Sequence, residues 1–271
     1  MRVISLLFHD VYVSHPDESG FASDAANRYK LTLADFDAQL AGVDAVRSDL
    51  PIAATETAIR VEPDSARVPF LVTVDDGGVS YHQWIAERLE RRGWRGHCFV
   101  STDHIGRRGF LGVDQIRNLA ARGHLIGSHS ASHPARFSAL PFDQMVSEWS
   151  RSRSILEDLL GTSVEVASVP GGYYSPVVAR AAREAGIRVL FTSEPVTSVD
   201  VSGDLTIIGR YTIRRGDPAN LAQRLLSASR WTRSQAWASW NAKGLIKPLL
   251  GPSYIRIADW LLATRPSSRA S

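Results

Sequence analysis

Short apolar runs alternate along the chain with longer segments whose apolar residues recur every three or four positions. The runs predict buried strands near residues 3–8, 70–74, 96–101, 124–128, 164–169, 189–192 and 205–208. The longer segments predict helices over residues 32–46, 79–92, 113–122, 142–160 and 176–185. Strand and helix units in this order indicate a parallel sheet joined by right-handed crossovers. The regular repetition favours a barrel over an open sheet, although periodicity alone does not distinguish them.

The predicted strand at residues 70–74 runs directly into two aspartates, Asp75 and Asp76, followed by two glycines. In α/β proteins, ligand sites lie at the carboxyl ends of buried strands. Two neighbouring carboxylates repel each other there, and they are costly to bury without a cation or a shared proton. Asp and Gly are also common in solvated turns, so this pattern alone does not separate a site from a turn.

A pair of histidines follows the predicted strand at residues 124–128. His129 and His133 lie four positions apart, and on a helical turn that spacing places both imidazoles on one face. Imidazole nitrogen together with carboxylate oxygen suits zinc, with cobalt, nickel or iron as alternatives. The spacing is a weak signal alone, but the two strand ends together predict a site for one divalent metal, most simply zinc.

Two segments resemble motifs of the polysaccharide deacetylase family, the NodB-homology carbohydrate esterases. Residues 73–77 read Thr-Val-Asp-Asp-Gly, similar to that family's Thr-Phe-Asp-Asp-Gly. Residues 129–134 read His-Ser-Ala-Ser-His-Pro, similar to its His-Ser/Thr-x-x-His. The resemblance covers residues 68–195 and implies an α/β fold, an irregular (β/α) barrel of the polysaccharide deacetylase type.

The resemblance also implies roles for single residues. Asp75 matches the family's general base, and Asp76, His129 and His133 match its metal ligands. Ser130, beside the first histidine, is expected to orient this site. Three protein ligands leave a metal position open for water, which is the arrangement of a catalytic rather than a structural site.

The third motif of the family is only partly present. Where the family often has Arg-x-Pro-Tyr-Gly, residues 168–172 read Ser-Val-Pro-Gly-Gly, so Ser168 replaces the arginine that steadies the catalytic aspartate. Gly171 and Gly172 are candidates for oxyanion or substrate binding through a backbone N–H, with a plain strand-to-helix turn as the alternative. Tyr173 or Tyr174 is the candidate for the missing aromatic wall.

The family's C-terminal histidine motif is absent, because no histidine follows His133. Residues 8–11, Phe-His-Asp-Val, resemble instead the Tyr-His-Asp/x-Val opening of family members whose barrel begins at a permuted strand. In that subtype the N-terminal histidine takes the place of the acid. This makes His9 the candidate general acid and Asp10 its orienting partner, while a structural histidine is the alternative.

Composition and charge bear on compartment and domain organisation. The single cysteine, the absence of a spanning apolar run and the short apolar N-terminal stretch lead us to expect a cytoplasmic protein. Residues 222–271 carry eight Lys or Arg residues and one acid, a charge of +7, which leaves −4 on residues 1–221 from the net +3. We expect a deacetylase-type barrel domain over residues 1–221 and a basic, tryptophan-rich helical extension over residues 222–271.

The extension contains four of the seven tryptophans. Basic residues beside tryptophan suit a helix at an anionic membrane surface, so peripheral contact with the inner membrane face is one expectation. Packing of these helices on the barrel is the other expectation. No nucleic-acid recognition motif accompanies the charge, so we expect no nucleic-acid partner.

The residues and the resemblance together predict a metal-dependent hydrolase that removes an N-acetyl group from an amino sugar. Metal-bound water would attack with Asp75 as the base, and the substrate would be an oligosaccharide or a lipid-linked glycan precursor. An O-acetyl carbohydrate esterase is one alternative, because the same site could cleave an ester. A catalytically inert sugar-binding protein is another, although a mere binder gains nothing from a buried acidic pair.

Overall fold

The computed structural model describes residues 2–54, 67–172 and 174–250, with side chains described as far as residue 242. The strands are Ile4–Phe8 (β1), Val11–Tyr12 (β2), Leu31–Thr32 (β3), Phe70–Val74 (β4), His97–Val100 (β5), Leu125–Ser128 (β6), Val166–Ser168 (β7), Val189–Phe191 (β8), Val199–Ser202 (β9), Leu205–Ile208 (β10) and Tyr211–Thr212 (β11). The helices are Asp24–Asn27 (α1), Leu33–Asp44 (α2), Ala86–Glu90 (α3), Val113–Ala121 (α4), Phe142–Leu160 (α5), Pro176–Glu184 (α6), Leu221–Leu226 (α7) and Trp231–Leu250 (α8). The seven strands predicted above are confirmed, and none differs from its predicted bounds by more than two residues. A further short strand expected over residues 53–61 lies mostly outside the described residues.

Nine strands form one sheet in the order β11-β1-β4-β5-β6-β7-β8-β10-β9, in which only the β9–β10 pair is antiparallel. Residues 205–212 curl this sheet into a barrel, because β10 pairs with β8 while β11, after a two-residue step, pairs with β1. The Val3 N–H also donates to the Thr197 carbonyl at 2.8 Å, which joins the start of β1 to the far side. The irregular (β/α) barrel expected from the resemblance is confirmed.

Local sequence explains how the outer helices begin and end. The Thr32 side chain caps α2 by accepting the Asp35 N–H, and α5 ends at Gly161, whose φ of 68° suits a residue without a Cβ. The helix predicted over residues 79–92 begins instead with five residues of π-helix, Tyr81–Ile85, before α3. Strand side chains fill the barrel interior, where Leu71, Phe99 and Phe191 form one buried cluster.

The C-terminal segment packs on the barrel through α7. Its residues Ala222, Leu225 and Leu226 are buried in the main core, and the Ala222 N–H donates to the side chain of Gln39 on α2 at 2.9 Å. The boundary predicted at residue 221 stays a prediction, and residues 251–271 lie outside the described part of the chain. Among the described residues, no helix is both long and apolar enough to cross a membrane.

Candidate metal centre and active site

Parallel strands bring the predicted site residues to one end of the barrel. β1 pairs with β4 so that Phe8 lies opposite Val74, and His9 and Asp75 therefore leave the sheet side by side. β6 ends immediately before His129. The site lies at the carboxyl ends of the strands, where α/β folds place their chemistry.

Asp76, His129 and His133 each direct one potential ligand atom to a common point. The Asp76 Oδ1 atom lies 3.4 Å from His129 Nε2 and 3.5 Å from His133 Nε2, and all three atoms lie within 4.8 Å of one another. Ligand atoms at 2.0–2.1 Å from a tetrahedral zinc ion are about 3.3 Å apart, so these separations match a shared divalent cation. The three side chains form a candidate metal site.

The ring orientation of His129 also fits metal binding. Its Nδ1–H donates to the Ser168 carbonyl at 3.0 Å, with the Ser168 hydroxyl at 2.6 Å, so Nε2 is the ring nitrogen that faces Asp76. Burial, together with the nearby charge of His129, lowers the pKa of His133 to about 4, so that imidazole is neutral near pH 7. Burial would raise the pKa of Asp76, but the surrounding histidines outweigh it and hold the pKa below its usual value. One carboxylate and two imidazole lone pairs are the donor set that zinc prefers.

The backbone between the two histidines is a loop, so the helical turn predicted from their spacing is wrong. Ser130 has a φ of 63° and His133 a φ of 54°, and two left-handed residues cannot belong to one right-handed helical turn. The Ser130 hydroxyl accepts the His133 N–H at 3.1 Å, so Ser130 orients the second histidine directly. Asp76 also has a positive φ, 76°. Such backbone strain in residues other than glycine often marks functional sites.

Glu148 on α5 holds this loop from outside. Its carboxylate accepts the Ala131 N–H at 3.0 Å, the Ser132 N–H at 2.8 Å and the Ser132 hydroxyl at 2.9 Å. Nothing in the sequence pattern singles out Glu148, because its position on the helix is that of an ordinary surface acid.

Asp75 is bound by an arginine that the sequence analysis missed. Arg210, fully buried, donates from Nη1 to Asp75 Oδ1 at 2.7 Å and from Nη2 to Oδ2 at 2.8 Å, and the Ser168 hydroxyl donates to Oδ1 at 3.0 Å. Burial would raise the pKa of Asp75, but the charges of Arg210 and His129 outweigh it and lower the pKa. Asp75 Oδ2 lies 3.9 Å from His129 Nε2 and therefore faces the candidate metal site. The sequence feature that could have indicated Arg210 is its position two residues after the strand predicted at residues 205–208.

Comparison with known proteins agrees with this geometry. Residues 64–190 match the family model described as polysaccharide deacetylase. The chain is 27% identical over 125 residues to YxkH of Bacillus subtilis (strain 168), a protein whose name places it among the polysaccharide deacetylases. That match covers 46% of this chain and 44% of YxkH, so it spans less than half the length of the relative. The segment of residues 64–190, just under half of the chain, is therefore similar to the polysaccharide deacetylases.

Solved structures of other proteins share the fold of this chain. The Streptococcus pyogenes deacetylase PplD, solved in complex with acetate, superposes with a TM-score of 0.70 at 18% identity, covering 84% of this chain and 99% of PplD. IcaB from Ammonifex degensii superposes with a TM-score of 0.64 at 22% identity, covering 88% of this chain and 97% of IcaB. At these identities the likeness concerns the fold.

His9 lies inside the candidate site, close enough to Asp75 and Asp76 for their charges to act on it. Its imidazole packs on the Tyr29 ring at 4.9 Å between centroids, and its buried Nδ1 has no hydrogen-bond partner among the described residues. Burial lowers the pKa of His9, although the charges of Asp76 and Asp75 act in the opposite direction. The resting imidazole is therefore neutral near pH 7. Membership of the permuted subtype stays a prediction.

Asp10 does not orient His9 as the sequence suggested. Its Oδ1 accepts the hydroxyls of Ser19 at 2.5 Å and Ser80 at 2.7 Å, which tie the loop after β2 to the barrel. Burial raises the pKa of Asp10 to about 6. The loop that Asp10 anchors carries Phe21, whose ring packs on His133 at 4.7 Å. Asp10 is turned toward this loop because β2 begins immediately after it.

The two glycines of the third motif differ in what they offer. Gly171 adopts a left-handed φ of 62° in the turn after β7. The Gly172 N–H donates to the Val169 carbonyl at 3.2 Å, so it is not an oxyanion donor, and Gly172 lies instead beside Trp240 on α8. Tyr173 lies outside the described residues. Tyr174 lines a separate cleft beside α6.

Proposed function

We propose that this chain is a metal-dependent hydrolase that removes the N-acetyl group of an amino sugar within an oligosaccharide or glycan precursor. One arrangement supports the proposal above all others. Asp76, His129 and His133 converge on one point, while Asp75 presents an ionised Oδ2 to the same point. A buried carboxylate pair with two imidazoles serves no packing purpose, which disfavours the inert sugar-binding alternative.

The three ligands would hold a divalent cation, with zinc the first candidate from the donor set. That cation would act as a Lewis acid, polarising the acetyl carbonyl and lowering the pKa of a water molecule. Asp75 Oδ2 would accept the proton of the attacking water, while Arg210 and Ser168 fix the carboxylate in place. Gly171 stays the candidate donor to the oxyanion.

His9 is our candidate for protonating the departing amine. Because its resting imidazole is neutral, it must first receive a proton within the catalytic cycle. Support for this role comes from its position beside Asp75 at the ends of paired strands, because Asp75 is the group that would accept the proton of the attacking water.

Metal content and acetate release test the proposal together. Purified wild-type protein should contain about one divalent metal per chain and release acetate from N-acetylglucosamine oligomers. Asp76→Ala and His129→Ala should lose both properties, whereas Asp75→Asn should keep the metal and lose at least about 10²-fold in rate. Equal metal content in wild type and both ligand variants would refute the metal site. Acetate release only from O-acetylated sugars would support the esterase alternative.

Membrane contact through the tail, and with it a lipid-linked substrate at the inner face of a cytoplasmic membrane, is a second proposal. Its support is the exposure of three tryptophans on α8 in a basic segment, with Trp231 68% exposed, Trp237 53% and Trp240 38%. Flotation with anionic and neutral vesicles tests it. No salt-sensitive binding to the anionic vesicles would leave only packing on the barrel.

A further inference from the structure

A cleft opens beside the candidate active site, between the end of β8 and helix α8. Its walls include Ser193, the exposed Arg214 and the indole of Trp240, and Arg210 also lines it. Its volume is about 120 Å³, below the 300–1,000 Å³ range of sites that enclose a whole drug-sized ligand. The cleft is therefore sized for a single small group, such as one face of a sugar ring.

Two contacts connect this cleft with the chemistry. Arg210, which lines the cleft, is bonded to both oxygens of Asp75. The Arg214 guanidinium lies over the Tyr29 ring at 5.7 Å, and that ring packs on His9. The cleft thus adjoins the side of the site where the candidate acid meets the departing amine, which is the side on which the sugar must lie.

Two arginines line the cleft, and no acidic side chain occurs among the described residues that line it. The charge of Arg210 is balanced by Asp75. The Asp217 carboxylate lies nearby and accepts the Arg214 backbone N–H at 2.8 Å, but no salt bridge joins the Arg214 guanidinium to a described residue. That guanidinium can therefore pair with one negative charge, and its planar donors suit a carboxylate.

Trp240 supplies the apolar face that sugar recognition requires. The ring hydrogens of a pyranose form an apolar surface that packs on an indole, and a partly exposed tryptophan with a polar edge is well suited to that contact. Trp231 and Trp240 lie nine residues apart, or two and a half turns, so they occupy opposite sides of α8. Trp240 is therefore the exposed tryptophan that faces the cleft, whereas Trp231 lies on the other side of the helix.

We propose that this cleft is a subsite for a uronic acid residue of the glycan, with Trp240 stacked on the ring and Arg214 paired with its carboxylate. The proposal rests on the proposed function, because that function supplies the class of ligand, a saccharide. The test of the proposal does not depend on that function. Binding is measured without turnover, in protein carrying His133→Ala, which removes a candidate metal ligand and leaves the Arg210–Asp75 pair intact. Failure of deacetylation and failure of this subsite are therefore separate results.

Calorimetric titration with three probes tests the subsite. Hyaluronan hexasaccharide alternates uronic acid with N-acetylglucosamine, chitohexaose is neutral, and UDP-N-acetylglucosamine carries a diphosphate. The hyaluronan oligomer should bind about tenfold more tightly than chitohexaose, a difference of about 1.4 kcal/mol. Arg214→Gln should abolish that preference, and Trp240→Ala should weaken both oligomers about tenfold while Trp240→Phe restores part of the loss.

Trp231→Ala is the matched control, because it removes an exposed tryptophan from the opposite side of the same helix. It should bind all three probes like the parent protein. A hyaluronan preference that survives Arg214→Gln overturns the carboxylate contact, and so does tightest binding of the diphosphate probe. Equal loss of affinity in Trp231→Ala and Trp240→Ala, or no loss in Trp240→Phe and Trp240→Ala alike, overturns the stacking role.

Discussion

Replacing Arg210 with methionine removes the partner of the candidate base while keeping most of the side chain's volume. Asp75 would then keep its charge in a buried position with only the Ser168 hydroxyl as a hydrogen-bond donor. Removing one partner of a buried ion pair typically costs 3–5 kcal/mol, because the remaining charge is left uncompensated. The lost bond from Arg210 Nε to the Thr192 carbonyl, 2.9 Å long, adds to this cost. We expect the free energy of unfolding to fall by about 4 kcal/mol.

Urea denaturation of wild type, Arg210→Met, Asp75→Asn and the double variant measures the effect. Asp75→Asn removes the charge that needs a partner, so the double variant should be more stable than Arg210→Met alone, with a coupling energy of at least about 2 kcal/mol. Arg188→Met is the matched control. Its partner Asp204 lies 3.4 Å away on the surface, and exposed pairs contribute about 0–1 kcal/mol.

Activity separates charge from geometry in the same series. Arg210→Lys keeps a positive charge but cannot bind both carboxylate oxygens, so it should recover part of the stability and little of kcat. An Arg210→Met protein within 1 kcal/mol of wild type, or a double-variant cycle without coupling, would refute our account of how Asp75 is held.

Three further predictions concern His9, His97 and Glu148. His9→Ala should slow hydrolysis of an N-acetyl sugar far more than that of an activated aryl acetate, whose leaving group needs little protonation, and equal losses would make His9 structural. Burial lowers the pKa of His97 to about 4, below the unfolded value of about 6.5. The contribution of neutral His97 to the free energy of unfolding is therefore complete above pH 6.5 and is lost as the pH drops toward 4. Between pH 7 and pH 5, wild type should lose about 2 kcal/mol more free energy of unfolding than His97→Gln, and parallel losses in the two proteins would contradict this. Glu148→Ala should weaken zinc affinity about tenfold, as measured by chelator competition, while Asp158→Ala, an exposed acid on the same helix, leaves it unchanged. An unaltered affinity in Glu148→Ala would mean that the loop holds its own shape.

Part of this site could be predicted from the sequence, because its residues follow the ends of predicted strands. Asp75, Asp76 and His129 each lie one or two positions beyond an apolar run, and in a parallel sheet such positions meet at one edge. The spacing of His129 and His133 correctly paired them but suggested the wrong backbone. Their approach depends on two left-handed residues held by side-chain hydrogen bonds, and no periodicity encodes that conformation.

The contacts that sequence reasoning missed are long-range. Arg210 lies 135 positions from Asp75, and only barrel closure brings the two together. Glu148 reaches the histidine loop from the face of a helix whose pattern predicts nothing beyond packing. Asp10 shows the opposite case, since its neighbour in the sequence suggested a partnership that the turn into β2 prevents.

Barrel closure has a consequence for the order in which this protein matures. Asp76, His129 and His133 belong to the ends of β4 and β6, in the first half of the chain, whereas Arg210 sits in the two-residue step that joins β10 to β11. A nascent chain emerging from the ribosome could therefore assemble a cation site before the arginine of residue 210 has been synthesised. Its base would gain its clamp only when the last strands dock on β8 and β1. The contact between Arg210 and both oxygens of Asp75 would thus form only on completion of the fold.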